Sequence, residues 1–243
     1  MLRPHENAVG TRQQRRTRRI YVLGAVAMAA LVAVVVFRRP LFAGNFGVVD
    51  PGRVYRCAQP DGNLGWVLDT CRPASILNLR GGSQAKAWYA AEVNASQERH
   101  IDFYDIPMSP TRRPMRHELL TLLEVLDRCR YPLLIHCKSG ADRTGLASAL
   151  YLMERRGEPP ESALRAFTIG FGHVPLGGPE HLHEPFVEYG AWLKDHHLAH
   201  SPEQFRTWVT NHYRADDPPH DPPIIKPGPR LQANANRRTS IRK

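Results

Sequence analysis

One cysteine in this chain of 243 residues sits in company that packing alone does not require. The stretch Leu134-Ile135-His136-Cys137-Lys138-Ser139-Gly140-Ala141-Asp142-Arg143-Thr144-Gly145 leads from a short apolar run to a thiol, and an arginine follows after five intervening residues. A buried strand ending at Cys137 would deliver that thiol to the carboxyl edge of a sheet, where open α/β sheets bind ligands. Backbone N–H groups of residues 138–143 can then converge on one anion. A helix beginning near Arg143 would add the partial positive charge of its N-terminus. That field favours a bound phosphate and an anionic sulfur on Cys137 alike. Gly140 permits close backbone approach where a side chain would block the anion.

The chemistry that fits these residues is phosphoryl transfer to sulfur. The thiolate of Cys137 attacks phosphorus in line and forms a phosphocysteine. Arg143 grips two equatorial oxygens with its planar fork, which stabilises the charge spread over them in the transition state. His136 is expected to help hold the sulfur anion by fixing the loop. Thr144 is expected to donate its hydroxyl to the sulfur and make it a better leaving group. Lys138, Ser139, Gly140, Ala141, Asp142 and Arg143 form the expected phosphate cradle. This chemistry calls for no metal and no other cofactor. A merely buried cysteine would not need histidine, glycine, arginine, threonine and glycine at these offsets.

Departure of the leaving group also needs an acid. The loop at 107–115 contains none, whereas Asp105 lies just before it, Glu118 just after it, and Asp142 within the cradle itself. Asp142 can equally serve a helix N-terminus. Lys138, Arg112, Arg113 and Arg116 would surround the mouth with cations, which suits a polyanionic substrate or one held at an anionic membrane surface.

The elements that must position this loop are legible around it. Val54 to Cys57, Ser75 to Leu79, Ile101 to Ile106 and Pro132 to Ile135 read as short strands, bounded by Pro and Gly. Helical stretches at 63–71, 85–99, 115–129 and 141–153 separate them, followed by helical pattern from Pro159 to about Tyr213. The alternation predicts an α/β domain over 44–213, with a central, largely parallel sheet flanked by helices. The Pro-rich, basic stretch 214–243 lacks apolar periodicity and is expected to be disordered.

Ile20 to Phe37 is an uncharged run of 18 apolar or small residues. At about 1.5 Å per residue it spans roughly 27 Å, close to the hydrocarbon thickness of a bilayer. It is expected to be a transmembrane anchor at 20–37, preceded by a basic segment at 1–19. Arg3, Arg12, Arg15, Arg16, Arg18 and Arg19 precede it and only Arg38 and Arg39 follow, so the N-terminus is expected in the cytoplasm and the domain outside, as on a periplasmic face. A cleaved signal peptide would want small residues where Arg38-Arg39-Pro40 stand, although Ala43 offers a later site. Thr17 to Leu23 also matches a twin-arginine export signal loosely. The net charge of +10 divides as +7 in residues 1–43, +4 in 214–243 and −1 between them. A nucleic-acid-binding domain would carry its basic residues on the folded part, so no nucleic-acid partner is expected.

The loop resembles the His-Cys-(five residues)-Arg-Ser/Thr signature of the protein tyrosine and dual-specificity phosphatase superfamily. The likeness extends over about 46–192: Val49 to Arg56 with Ala58-Gln59-Pro60 is similar to the opening segment of small bacterial members, and Ile76 to Arg80 to their second strand. Gly172-His173-Val174-Pro175 and His183-Glu184-Pro185-Phe186 are similar to the C-terminal helical region of membrane-anchored or periplasmic members. The resemblance implies a phosphomonoester hydrolase. An aspartate directly before the loop arginine resembles a lipid-phosphatase-like branch and implies acid/base work for Asp142, with Asp105 as second candidate. Inositide phosphatases usually carry a lysine where this chain has Ala141, which counts against an inositide substrate. The expected substrate is a phosphorylated envelope lipid or glycolipid; a phosphoprotein or a non-catalytic phosphate-binding scaffold are the alternatives. A sulfurtransferase of the rhodanese kind has a shorter active loop.

Cys57, Cys71 and Cys129 are expected to be buried thiols, although an oxidising compartment would permit a pairing among them. His173, His181 and His183 lack the accompanying ligands that a metal site needs.

Overall fold

In the computed structural model, residues 5–39, 43–214 and 226–227 are described. A helix, α1 (His5–Val36), leads into strands β1 (Gly47–Asp50) and β2 (Val54–Cys57). Then come α2 (Leu64–Cys71), β3 (Ser75–Asn78), α3 (Ala87–Glu98), β4 (Asp102–Asp105), α4 (Arg116–Arg128), β5 (Leu133–His136) and α5 (Asp142–Arg156). The rest comprises α6 (Pro160–Ala163), α7 (Glu184–Asp195), α8 (Pro202–Asn211) and a two-residue strand β6 (Lys226–Pro227).

The sheet runs in the order β1-β2-β5-β3-β4-β6. Its four inner strands are parallel, and β1 and β6 add antiparallel edges. Every residue of β3 and β5 is buried, as expected of parallel strands covered on both faces. On one face Ile76, Phe103 and Leu134 pack with Val67, Leu68 and Val93 of α2 and α3. On the other, Leu77, Tyr104, Leu133 and Ile135 join the larger core built on α4, α5, α7 and α8. Helix α5 is buried nearly all round, which suits a central helix.

Register decides where the chemistry falls. Cys57 pairs with His136, His136 with Asn78, and Asn78 with Asp105, so four parallel strands end in one row. The residues just beyond that row include Cys137, Leu79 and Ile106.

The α/β architecture with a largely parallel centre agrees with the expectation from sequence. The antiparallel edges do not follow from it, and the expected continuous helical region after Pro159 is broken. Short 3-10 turns at Leu164–Ala166, Ile169–Phe171 and Pro179–Leu182 interrupt it, with left-handed Gly172 and Gly177 between them. Of the tail at 214–243, only Arg214, Lys226 and Pro227 are described, and the last two pair with β4. The expected disorder concerns residues otherwise outside the described ones. Within α1, Thr17–Val36 is a 20-residue stretch long and apolar enough to cross a membrane, and none of it is buried.

Candidate active site

The loop after β5 owes its shape to what holds it from outside. The carbonyl of Lys138 accepts from the backbone N–H of Gln59 at 3.2 Å. That of Ser139 accepts from Asn45 Nδ2 at 2.8 Å. Arg56 Nη2 donates to the carbonyls of Gly140 at 2.8 Å and Ala141 at 3.1 Å. Four successive carbonyls are thus turned outward. A peptide whose carbonyl points out presents the next N–H inward, which is how backbone makes an anion nest. The Gly140 N–H indeed reaches Cys137 Sγ at 3.3 Å.

Gly140 adopts φ +71°, and a Cβ there would lie 2.5 Å from the Cys57 carbonyl oxygen and 2.6 Å from the Ala58 nitrogen. Both neighbours are backbone and cannot yield without moving β2. Gly140→Ala is expected to cost about 1–3 kcal/mol in strain and, by displacing the cradle, roughly 100-fold in turnover. Thermal melts and aryl phosphate hydrolysis check this; a variant with the parent's rate would show that the cradle tolerates displacement.

Arg56 is a missed residue. It is 1% exposed, has no carboxylate partner among the described hydrogen bonds, and stacks 3.9 Å over Phe171. Its Nη1 donates to the Ala166 carbonyl at 2.6 Å. Burial pushes the guanidinium down to about 10, and the nearby Cys137 opposes that shift, so Arg56 remains cationic at neutral pH. A buried cation behind the loop favours an anion in front of it. The signal was present: an arginine inside a strand that the sheet had to cover.

Arg143 is 7% exposed. Its Nη1 is fastened to the carbonyls of Leu79 and Met108, both at 3.1 Å, at the ends of β3 and β4. Its buried Nε has no partner. One edge of the fork is therefore fixed and the Nε edge is available to oxygen ligands. His136 is fully buried, with Nε2 2.8 Å from Glu92 Oε1. Glu92, which sequence reading overlooked, also accepts from Gln59 Nε2 at 3.0 Å. It links the strand before the cysteine to the segment supporting Lys138.

Thr144 is fully buried, but its hydroxyl makes no hydrogen bond among the described residues. The expected bond to Cys137 Sγ is not formed here. Asp142 Oδ1 lies 2.8 Å from His173 Nδ1, and the Asp142 side chain keeps 19% exposure. Asp105 is buried at the end of β4 and accepts from the Tyr89 hydroxyl at 2.9 Å. Glu118 accepts from the Met115 N–H at 2.7 Å and so caps α4.

The ring of surplus cations is smaller than expected. Arg112 pairs with Glu118 at 2.7 Å and Arg113 with Glu188 at 2.6 Å. Arg116 Nη1 reaches the Thr210 carbonyl at 3.5 Å. Nearby helices supply the partners that neutralise or anchor these residues. Lys138 is exposed, and Arg80, 4.0 Å over the Trp88 ring, lies just beyond β3.

All four cysteines are free. Burial pushes the thiols of Cys71 to about 12 and Cys129 to about 11, and raises Cys57 strongly, which makes all three poor nucleophiles at neutral pH. Among the described residues, no three His, Cys, Asp or Glu side chains come together to hold a metal ion.

A thiol at the carboxyl edge of a parallel sheet, with the Gly140 N–H turned onto it and an arginine six residues on that is held by one edge of its guanidinium, defines the class: this is a cysteine-dependent phosphatase. Residues 43–155 match the model of a tyrosine phosphatase family. Over that segment the chain is similar to the cysteine-dependent protein tyrosine phosphatases. Among solved structures it is similar to the core catalytic domain of the PP-IP phosphatase SIW14 from S. cerevisiae, at 21% identity over 63% of this chain and 93% of that one, TM-score 0.48. It is also similar to TpbA from P. aeruginosa, at 20% identity over 70% of this chain and 99% of that one, TM-score 0.45.

Proposed function

We propose that the protein hydrolyses phosphomonoesters through a phosphocysteine on Cys137, at the extracytoplasmic face of a membrane, on a phosphorylated envelope lipid or glycolipid. In the first step the Cys137 sulfur forms a bond to phosphorus as the P–O bond to the leaving group breaks. Asp142 delivers a proton to the departing oxygen. In the second, water attacks phosphorus, its proton passes to Asp142, and the S–P electron pair returns to sulfur, releasing phosphate. Arg143 and the inward N–H groups hold the phosphoryl oxygens throughout. The observation that carries the catalytic reading is the Gly140 N–H on Cys137 Sγ beside an Arg143 whose Nε edge is unpartnered.

The membrane part of the reading is supported by how short the path is from the apolar helix to the cradle. Asn45 N–H donates to the Arg39 carbonyl at 3.0 Å, two residues after the apolar run ends. The same residue's Nδ2 donates to Ser139 in the cradle and, at 2.7 Å, to the Phe171 carbonyl. The Arg39 guanidinium lies 4.7 Å over the Phe171 ring. If Thr17–Val36 spans a bilayer, the cradle sits at headgroup level, where a lipid phosphate is near and a distant soluble phosphoprotein is not.

The test is initial rates of the full chain reconstituted in vesicles, with a phosphorylated glycolipid, an inositide or a phosphotyrosine peptide as substrate. The reading expects the glycolipid to be turned over at least about tenfold faster, on the scale of one positioned contact. Faster turnover of the peptide would assign the site to phosphoproteins, and equally poor turnover of all three would remove the lipid.

A further inference from the structure

The cradle's aspartate is not alone. Asp142, the first residue of α5, has Oδ1 2.8 Å from Nδ1 of His173, a residue 31 positions away and 3% exposed. The turn that brings it there is built: Gly172 takes φ +76°, and the His173 N–H closes back on the Thr168 carbonyl at 3.1 Å. The imidazole packs in a cluster of three rings. Phe167 packs at 4.9 Å between ring centroids and His183 at 4.8 Å. Phe167 in turn lies on Gly145 of α5, where a Cβ would come within 2.7 Å of its ring.

We infer that His173 is a positioning residue for the acid: as a neutral imidazole it donates its Nδ1–H to Asp142 Oδ1 and so fixes Oδ2 as the oxygen that carries and delivers the proton. The inference rests on the proposed acid role of Asp142. Its physical basis is twofold. A carboxyl can rotate and offer either oxygen, and catalysis needs the proton on the one facing the leaving group. A fixed donor on Oδ1 removes that freedom. The histidine must also stay neutral, because an imidazolium would hold Asp142 as a carboxylate and stop it acting as an acid. His173 Nε2 is buried without a partner, and a second N–H there would be a desolvated, unpaired donor on a cation.

The charged and titratable groups around the pair are His183 on the turn before α7, Arg56 behind the loop, and Cys137 and Arg143 within it. Burial pushes His183 down, so it does not add a cation beside the pair at neutral pH. The protons balance: the pair gives one to the leaving oxygen in the first step, takes one from water in the second, and His173 keeps its own throughout.

The experiment uses the full chain with a series of aryl phosphates of graded leaving-group basicity. His173→Phe keeps a ring against Phe167 and His183 but removes the donor, while His173→Asn restores a donor near the Nδ1 position. The expected result is that Asp142→Asn and His173→Phe share one signature: about 10–100-fold loss on the poorest leaving group and about threefold or less on the best. His173→Asn should recover most of the loss, and Asp142→Asn/His173→Phe should be no worse than Asp142→Asn. If Asp142→Asn shows the leaving-group bias and His173→Phe slows every substrate alike, His173 only packs the loop and the inference fails alone. If Asp142→Asn itself shows no bias, the acid assignment fails and takes the inference with it. Should the phenylalanine variant not fold, His173→Gln, whose amide sits one methylene further out, serves for the same comparison against His173→Asn.

Discussion

Replacing Cys137 with serine is expected to lower phosphomonoester turnover by about 10⁴-fold or more while leaving the fold and anion binding in place. The two side chains are nearly isosteric, so the cradle keeps its shape. The carbonyls at 138–141 remain held by Gln59, Asn45 and Arg56, whose contacts do not involve the sulfur. What changes is the nucleophile. A serine hydroxyl at this position has no base to take its proton: His136 Nε2 faces Glu92 behind the strand, and Asp142, as the acid of this step, enters it already protonated. Melting temperature in the presence and absence of inorganic phosphate measures folding and anion binding; steady-state hydrolysis measures the loss. A serine variant retaining a tenth of the activity would mean that the sulfur does not attack phosphorus.

Arg143→Lys is expected to cost about 10³-fold in kcat, with a smaller change in KM. Lysine keeps the positive charge, so a site needing only charge would lose little. The geometry calls for more. Nη1 is committed to the Leu79 and Met108 carbonyls, and the Nε edge is left for the phosphoryl oxygens. An ammonium cannot hold both strand ends and present a planar pair of donors. Because the oxygens gather charge in the transition state, the loss falls on kcat. Comparing kcat and KM for the two proteins decides it; a drop of less than about tenfold would reduce Arg143 to a point charge.

The parts of this site written in consecutive residues could be read from the sequence, and the parts assembled by packing could not. The apolar run before Cys137 became β5, and the helical pattern from 141 became α5, extended to Arg156 where left-handed Gly157 stops it. Both rest on local periodicity and turn residues, which a linear reading captures. The supports of the cradle come from elsewhere in the chain: Arg56 from 84 positions before Gly140, Asn45 from 94 before Ser139, His173 from 31 beyond Asp142. Glu92 lies within the helical stretch 85–99 with nothing in its spacing to single it out, yet it is 1% exposed and meets His136. No spacing rule exposes such residues, because their partners are chosen by the sheet's strand order. Arg112 and Arg113 erred in the other direction. Read along the chain they are free cations beside the mouth; in the fold, Glu118, Glu184 and Glu188 take them up. Arg56 is the instructive case, since an arginine in a covered strand had to find acceptors, and the carbonyls of the phosphate loop are those acceptors.

The most direct test of the account is to mix the full-length protein with an excess of an activated aryl phosphate, quench in acid within milliseconds, and map the phosphoryl group by peptide mass spectrometry. The account predicts a phosphoryl group on the peptide containing Cys137, formed as the aryl alcohol is released and absent from the Cys137→Ser protein. Turnover with the phosphoryl group on another side chain, or with the enzyme never labelled because water attacks the substrate directly, would contradict it.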